Sequence, residues 1–258
     1  MPDFILLLAL GIVVGISGAT LGVGGGFITV PVLFGVLGWP MTAAVAASHF
    51  CTVAVSIPAT ARYESEGLVD WDTGVMMGGA TLVGSGIGAY SMRSTPTILV
   101  AILFGVVCVI AGIRMWRPER DSADSLSDRL LSRRRRMWQS IPAFVLVGAV
   151  SGIAGLGGGV MIVPLLSSVL LLPTRRALAT SAFMIGITSC MAGSIYFAQG
   201  QLVPEATTLL VAGVLPGAII GAAMQRRWSA LALRRVFALL LLAFALRVIW
   251  RALNGNGA

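Results

Sequence analysis

Apolar residues run along this chain in unbroken stretches, not in alternation. Stretches 73–92, 96–116, 176–198, 205–224 and 231–250 each offer about 20 consecutive positions with few charges, the length at which a helix crosses a hydrocarbon core of ~30 Å. Lipid leaves backbone groups no partner but one another, so only helices or closed barrels cross it. Solid runs without a period of two predict helices and exclude an outer-membrane barrel. Two further apolar runs, 4–38 and 139–172, are too long for one span. At ~1.5 Å per residue the first would extend about 52 Å.

Both long runs are interrupted at the same place. Gly22-Val23-Gly24-Gly25-Gly26-Phe27-Ile28-Thr29-Val30-Pro31 is repeated as Gly155-Leu156-Gly157-Gly158-Gly159-Val160-Met161-Ile162-Val163-Pro164, 133 residues later. The same offset pairs Pro40 with Pro173, Ala46 with Ala179, Ser48 with Ser181, Phe50 with Phe183, Tyr63 with Tyr196, Gly67 with Gly200, Gly88 with Gly221 and Arg93 with Arg226. A register held over this distance predicts a duplicated unit. The expected fold is an all-α, polytopic integral membrane protein of about eight hydrophobic helical segments, arranged as two tandem four-helix repeats. They occupy 1–116 and 139–252, with an Arg-rich linker at 117–138 and a short tail at 253–258.

Consecutive glycines cost roughly 1 kcal/mol each in a helix interior. The pattern therefore predicts a helix over 4–21, a break, and a half-helix over 27–38; the second copy repeats this as 140–154 and 159–172. Unwound backbone at membrane depth persists only where it is buried in protein or lines a polar cavity. Breaks at matching positions of two repeats point to a transporter's binding site. A half-helix starting there presents free N–H groups and the positive end of its dipole, and glycine lets a ligand approach the backbone closely. These properties favour a small anion. Gly22, Gly24, Gly25, Gly26, Gly155, Gly157, Gly158 and Gly159 are thus candidate binding residues, with the hydroxyls of Ser48, Thr180 and Ser181 as candidate donors and Thr52, Thr188 and Ser189 nearby. Against this stands the commoner use of such residues. Hydroxyls in membrane helices bond their own backbone or a neighbouring helix, and glycines spaced as Gly11/Gly15 or Gly84/Gly88 let helices pack closely. Gly74/Gly78 and Gly213/Gly217 suit either internal packing or a homo-oligomer interface.

Composition changes the picture only in excluding alternatives. Of the 258 residues 57% are hydrophobic and 11% charged, with mean hydropathy +0.93; a soluble domain carries roughly 25% charged residues. The three cysteines, Cys51, Cys108 and Cys190, lie in apolar segments without CxxC spacing and read as small buried apolar groups. With His49 the one histidine, no zinc, haem or iron–sulfur ligand set can be assembled and no cofactor is expected. His49 has Ala182 at its repeat position and reads as a packing or pore-lining residue before a proton carrier. No Asp or Glu falls centrally in a span, so the carboxylate relay of a cation pump is missing. The first twenty residues lack a basic n-region and read as mature membrane segment, not as a signal peptide.

The chain carries a formal net charge of +8. Its Arg-rich stretch, Arg114 through Arg133–Arg136, flanks a membrane helix and reads as a cytoplasmic topology determinant facing anionic lipid, not as a nucleic-acid site. Arginine placement also bears on orientation. If 4–38 and 139–172 are re-entrant hairpins the repeats are inverted, and only Arg93, Arg247 and Arg251 fall outside. Four crossings per unit would give a weaker bias, which makes the inverted arrangement the preferred one.

The duplicated GxGGG followed by Val-Pro and then an alanine- and serine-containing helix resembles the TauE/SafE family, the sulfite exporters and toluene-sulfonate uptake permeases of bacteria. The resemblance covers essentially the whole chain. It implies a secondary transporter, not an enzyme, for sulfite, thiosulfate, organosulfonates or related oxyanions, in the bacterial inner membrane. Its partners would be the lipid bilayer and a small anionic substrate, without nucleic acid. Thr180-Ser181 matches the family's Thr-Ser pair; Ala47-Ser48-His49 departs from it in the first copy. An anion channel, or a membrane scaffold working through the Arg-rich loop, are the alternatives.

Overall fold

Each glycine-rich break ends one helix and begins another. The computed structural model describes residues 2–22, 24–96, 98–100, 102, 103, 106 and 127–224. Among these, α1 (Pro2–Leu21) stops at the first break and α2 (Gly26–Val30) starts from it. Two long helices follow, α3 (Met41–Glu64) and α4 (Trp71–Ser91). The second set is α5 (Ser127–Ala154), α6 (Gly159–Ser168), α7 (Thr174–Ala198) and α8 (Pro204–Met224). The described residues are helical or in short connections, without strands. Starts at Gly26, Met41 and Trp71 recur 133 residues on at Gly159, Thr174 and Pro204.

Among the described residues, four helices are long and apolar enough to span a membrane: Met41–Glu64, Arg134–Ala154, Arg175–Ala198 and Pro204–Met224. The protein is a multi-pass membrane protein. α4 has the length, 21 residues, but Asp72, Thr73, Thr81, Ser85 and its glycines dilute its hydropathy, so it is not among the four. The expected segments at 231–250 and most of 96–116, most of the linker and the tail lie outside the described residues.

The half-helices differ from expectation in detail. α2 does not stop at Pro31 but widens there into a π-helical turn, Pro31–Val36, in which Leu37 N–H donates to Val32 O at 2.9 Å. Proline lacks the N–H that would hold the tighter register, and the wider turn keeps the segment helical. The first half-helix thus runs 26–36 instead of 27–38, and the second ends at Ser168, short of 172. α5 begins at Ser127, inside the stretch read as linker. Arginine is a good helix former, so the exposed Arg134–Arg136 simply extend the membrane helix outward.

Glycines set the packing. Gly213, Gly217 and Gly221 of α8 face the carbonyls of Leu8, Ile12 and Ile16 of α1, and a Cβ at any of them would collide with that backbone. In α4, Gly84 and Gly88 face the carbonyls of Val145 and Ala149 of α5, while Gly148 and Gly152 face those of Thr81 and Ser85. This is the close approach that small residues permit in lipid, where apolar burial gives no preference for protein over tails. Gly74 and Gly78 meet Phe183 and Ile187 of α7, so the glycine stripes are spent on internal packing. The three rising registers make α1 parallel to α8, α4 to α5 and α4 to α7. Between α3 and α7 the order reverses: Phe50 packs on Gly193 and Ser56 on Gly186, so these equivalent helices are antiparallel. With α7 and α8 joined by the short turn 199–203, α1 also opposes α5 and α4 opposes α8.

The first half-helix occupies the interior, whereas the second is partly exposed at Met161, Val163, Pro164, Leu165 and Ser167. Every residue of α2 is buried, as are Pro31, Leu33, Phe34 and Gly35. The outward faces carry Val75, Val83, Ile87, Phe197 and Ile219, as lipid requires. Cys51 is buried, as expected, but Cys190 is exposed, lining a groove with Val53, Ile57 and Ile187; Cys108 lies outside the described residues.

Candidate functional site

The two breaks meet. A Cβ on Gly26 would collide with the carbonyl of Gly155, so the first half-helix starts directly against the second break. Gly22 (φ 63°), Gly24 (φ 87°), Gly155 (φ 71°), Gly157 (φ 68°) and Gly158 (φ 82°) adopt left-handed backbone, which side chains disfavour by roughly 1–2 kcal/mol per residue. Gly25 is right-handed (φ −91°), and there the constraint is space, since a Cβ would stand 2.5 Å from Val14 Cγ1.

Two serines lock this junction. Ser48 Oγ, on α3, lies 2.7 Å from Gly155 O and 2.7 Å from Val45 O. Its repeat partner Ser181, on α7, lies 3.1 Å from Gly22 O and 2.8 Å from Leu178 O. Each hydroxyl has one proton to give, and in both cases it goes to backbone, either one turn back or across to the break of the other copy. Thr180 is engaged differently. Its Oγ1 accepts from Asp70 N–H at 3.0 Å, while Asp70 caps α4 by accepting from Thr73 N–H at 3.1 Å. Thr188 ties α7 to α4 through Thr81 Oγ1 at 2.8 Å. The structure thus brings all eight candidate glycines and both serines to one junction, with Thr180 at the head of α4.

Other donors stand free. Among the described residues, the hydroxyls of Thr52, Ser151 and Ser189 are buried without a partner, and the N–H groups of Gly157, Gly158 and Gly159 meet no backbone acceptor. Thr52 and Ser189 are visible in the sequence as hydroxyls near the breaks. Ser151 is not, because it sits before its break on α5; the signal available was its place four residues ahead of Gly155. His49 is fully buried and stacks on Tyr196, rings 5.7 Å apart and 19° from parallel. Its Nε2 is 3.3 Å from Gly152 O, which also accepts from Tyr196 OH at 2.8 Å. A carbonyl cannot donate, so Nε2 carries the proton and Nδ1 presents an unpartnered lone pair. No Asp, Glu or Arg side chain among the described residues is buried.

The junction, a pair of buried helix breaks with neutral donors, can attract negative charge, and among the described residues it holds no nucleophile–base pair or carboxylate dyad. Comparison with known proteins bears on the same point. The family model described as "Sulfite exporter TauE/SafE" matches residues 7–248. A "Probable membrane transporter protein" of Xylella fastidiosa (strain 9a5c) is 31% identical over 98% of this chain and 97% of its own. A probable membrane transporter protein of Methanocaldococcus jannaschii is 31% identical over 72% of this chain and 71% of its own. "Probable membrane transporter protein YunE" of Bacillus subtilis is 25% identical over 97% and 99% respectively. No solved structure matches the chain.

Proposed function

The chain belongs to the sulfite exporter TauE/SafE family of membrane proteins, and we propose that it is a secondary carrier of small oxyanions, of the class of sulfite, thiosulfate and organosulfonates, working by alternating access. The carrying observation is the contact of two duplicated breaks, Gly26 against Gly155, each tied to the helix of the opposite copy by Ser48 and Ser181. Helix breaks at corresponding places in two repeats are where carriers bind their cargo. Gly22, Gly24–Gly26, Gly155 and Gly157–Gly159 line the site with backbone.

In this reading the chain is two inverted four-segment repeats, 1–116 and 139–252, in the inner membrane, with 117–138 facing the cytoplasm. Support comes from the antiparallel run of equivalent helices and from the arginine distribution. Inverted repeats can exchange conformations, so that a structure open inward implies a counterpart, related by the pseudo-two-fold axis in the membrane plane, that is open outward. With Gly26 seated on Gly155, the junction here is closed. Rocking of one repeat against the other would separate the breaks and admit the anion from either side.

The test is uptake of radiolabelled sulfite, thiosulfate and sulfoacetate into proteoliposomes under an imposed potential. Saturable flux of one anion, with trans-stimulation, is expected. Flux without saturation would make the protein a channel, and absence of flux with correctly inserted protein would overturn the carrier reading.

A further inference from the structure

Hydroxyls on the central helices divide into two groups. Ser48, Ser56, Ser181 and Thr188 each donate to a carbonyl three or four residues back, the ordinary state of serine and threonine in a helix that water does not reach. Thr52, Ser151 and Ser189 do not, although they are 0%, 1% and 0% exposed. All three lie beside glycines of the breaks, and at Gly24 and Gly157 the Thr52 methyl stands nearer than its hydroxyl, 2.8 and 2.6 Å from the Cβ position. From the position a Cβ would take, Thr52 Oγ1 is 3.1 Å from Gly157 and 3.4 Å from Gly24. Ser189 Oγ is 3.4 Å from Gly157, and Ser151 Oγ is 3.2 Å from Gly158. Three unpaired buried hydroxyls in one place are a cost the fold does not recover by itself, and such groups call for a partner. The same place holds the unbonded N–H groups of Gly157–Gly159, at the start of the ten-residue α6, where the helix dipole favours negative charge.

The first break is equipped otherwise. At the repeat position of Thr52 stands Ile185, and at that of Ser151 stands Gly18. The counterpart of Ser189 is Ser56, whose hydroxyl is already given to Val53 O at 2.8 Å. Around Gly24 and Gly25 the further neighbours are Val14, Cys51, Val55 and Ile185. Thr52 lies beside both breaks, but Ser151 and Ser189 lie beside the second alone, so the duplicated backbone carries more unpartnered hydroxyls at the second break than at the first.

Resting on the carrier reading above, we propose that the anion is held at one break only. Its side-chain donors are Thr52, Ser151 and Ser189 with the N–H groups of Gly157–Gly159, and the site takes singly charged oxyanions in preference to dianions. Every donor is neutral, and no Asp, Glu or Arg among the described residues is buried near it. The electrostatic cost of moving an ion out of water grows with the square of its charge, so a dianion loses about four times what a monoanion does. Dipolar donors repay the first more readily than the second. A sulfonate or hydrogen sulfite fits these terms better than the dianions sulfate and thiosulfate.

The experiment uses the full-length protein in proteoliposomes, with methanesulfonate and sulfate as probes because neither changes charge near neutrality. Wild type should carry methanesulfonate saturably and sulfate at least tenfold more slowly. Thr52→Val and Ser189→Ala should each raise the KM for methanesulfonate about tenfold, Thr52→Ser should restore it, and Ser56→Ala should leave it within twofold. A second readout separates binding from folding: Thr52→Val removes an unpaired hydroxyl at constant shape, so the detergent-solubilised variant should unfold at the same or a higher temperature while losing the stabilisation that methanesulfonate gives wild type. Wild-type KM in both Thr52→Val and Ser189→Ala, or sulfate carried as fast as methanesulfonate, would overturn the one-site proposal and leave the carrier standing. Absence of saturable flux of both probes in wild type would remove the carrier reading and this proposal with it.

Discussion

Ser48 Oγ lies 2.7 Å from the carbonyl oxygen of Gly155, and this bond joins the third helix to the break of the other copy. Ser181 makes the reciprocal bond to Gly22 at 3.1 Å. Each removes the need of a buried carbonyl that has no helical partner. Ser48→Ala should therefore cost about 1–3 kcal/mol, the penalty for a buried acceptor left unmet, and Ser181→Ala less, because its bond is longer. Unfolding in detergent measures both. Because Gly26 and Gly155 touch, the double variant should deviate from additivity, whereas the KM for a carried anion should stay within about twofold.

Gly25 and Gly158 are constrained for different reasons, and substitutions should show it. At Gly158, with φ 82°, even alanine is strained, and Gly158→Ala should cost about 1–3 kcal/mol. At Gly25 the backbone is ordinary, and alanine there meets the stiff, fully buried Val14, whose Cγ1 stands 2.5 Å from the Cβ position; the expected cost is about 1–3 kcal/mol of overpacking, which Val14→Ala should relieve. Leucine at either position should abolish transport at normal protein levels. Flux surviving in both leucine variants would sink the idea that backbone at the breaks cradles the anion.

Much of this was legible in the sequence. Helical class, the positions of both breaks and the packing use of Gly11/Gly15 and Gly84/Gly88 follow from backbone propensity and from the missing Cβ, both properties of the residue itself. What a glycine stripe packs against is decided elsewhere, so the crossing of α1 to α8 and of α4 to α5 could not be read from either stripe alone. Hydroxyls were the least legible. Ser48 and Thr52 lie one turn apart on α3 and look alike in sequence, yet one is spent on backbone and the other is unpartnered; rotamer and neighbours make that difference. The first half-helix ends at Val36 instead of 38, where Gly38 takes up left-handed backbone (φ 80°) that cannot continue a helix.

Two glycines of α4 offer a controlled contrast. Gly84 faces the Val145 carbonyl, where any Cβ collides with backbone that cannot yield, while Gly79 has open space around its Cβ position. Gly84→Ile should separate α4 from α5 and lower the amount of folded protein recovered from membranes severalfold. Gly79→Ala should be neutral or stabilising by about 0.5–1 kcal/mol, the difference in helix cost between the two residues. Size-exclusion profiles and unfolding temperatures in the same detergent would report both.

Driving force is the remaining consequence of a site without buried carboxylates. A carrier that moves one net negative charge responds to the membrane potential by ~2.3 kcal/mol per 100 mV, an equilibrium ratio of about 50-fold, and an inside-negative potential favours export. His49 is the buried side chain best placed to add a proton to that cycle, since its Nδ1 is unpartnered. Yet Nε2 is fixed on Gly152 O and the ring is stacked on Tyr196, an arrangement suited to holding α3 against α5 and α7. Export should therefore follow the potential in wild type and in His49→Gln alike, and a pH gradient at zero potential should drive no flux of a non-titrating anion. Flux driven by the pH gradient in wild type and lost in His49→Gln would instead make His49 the coupling residue and the carrier a proton-linked one.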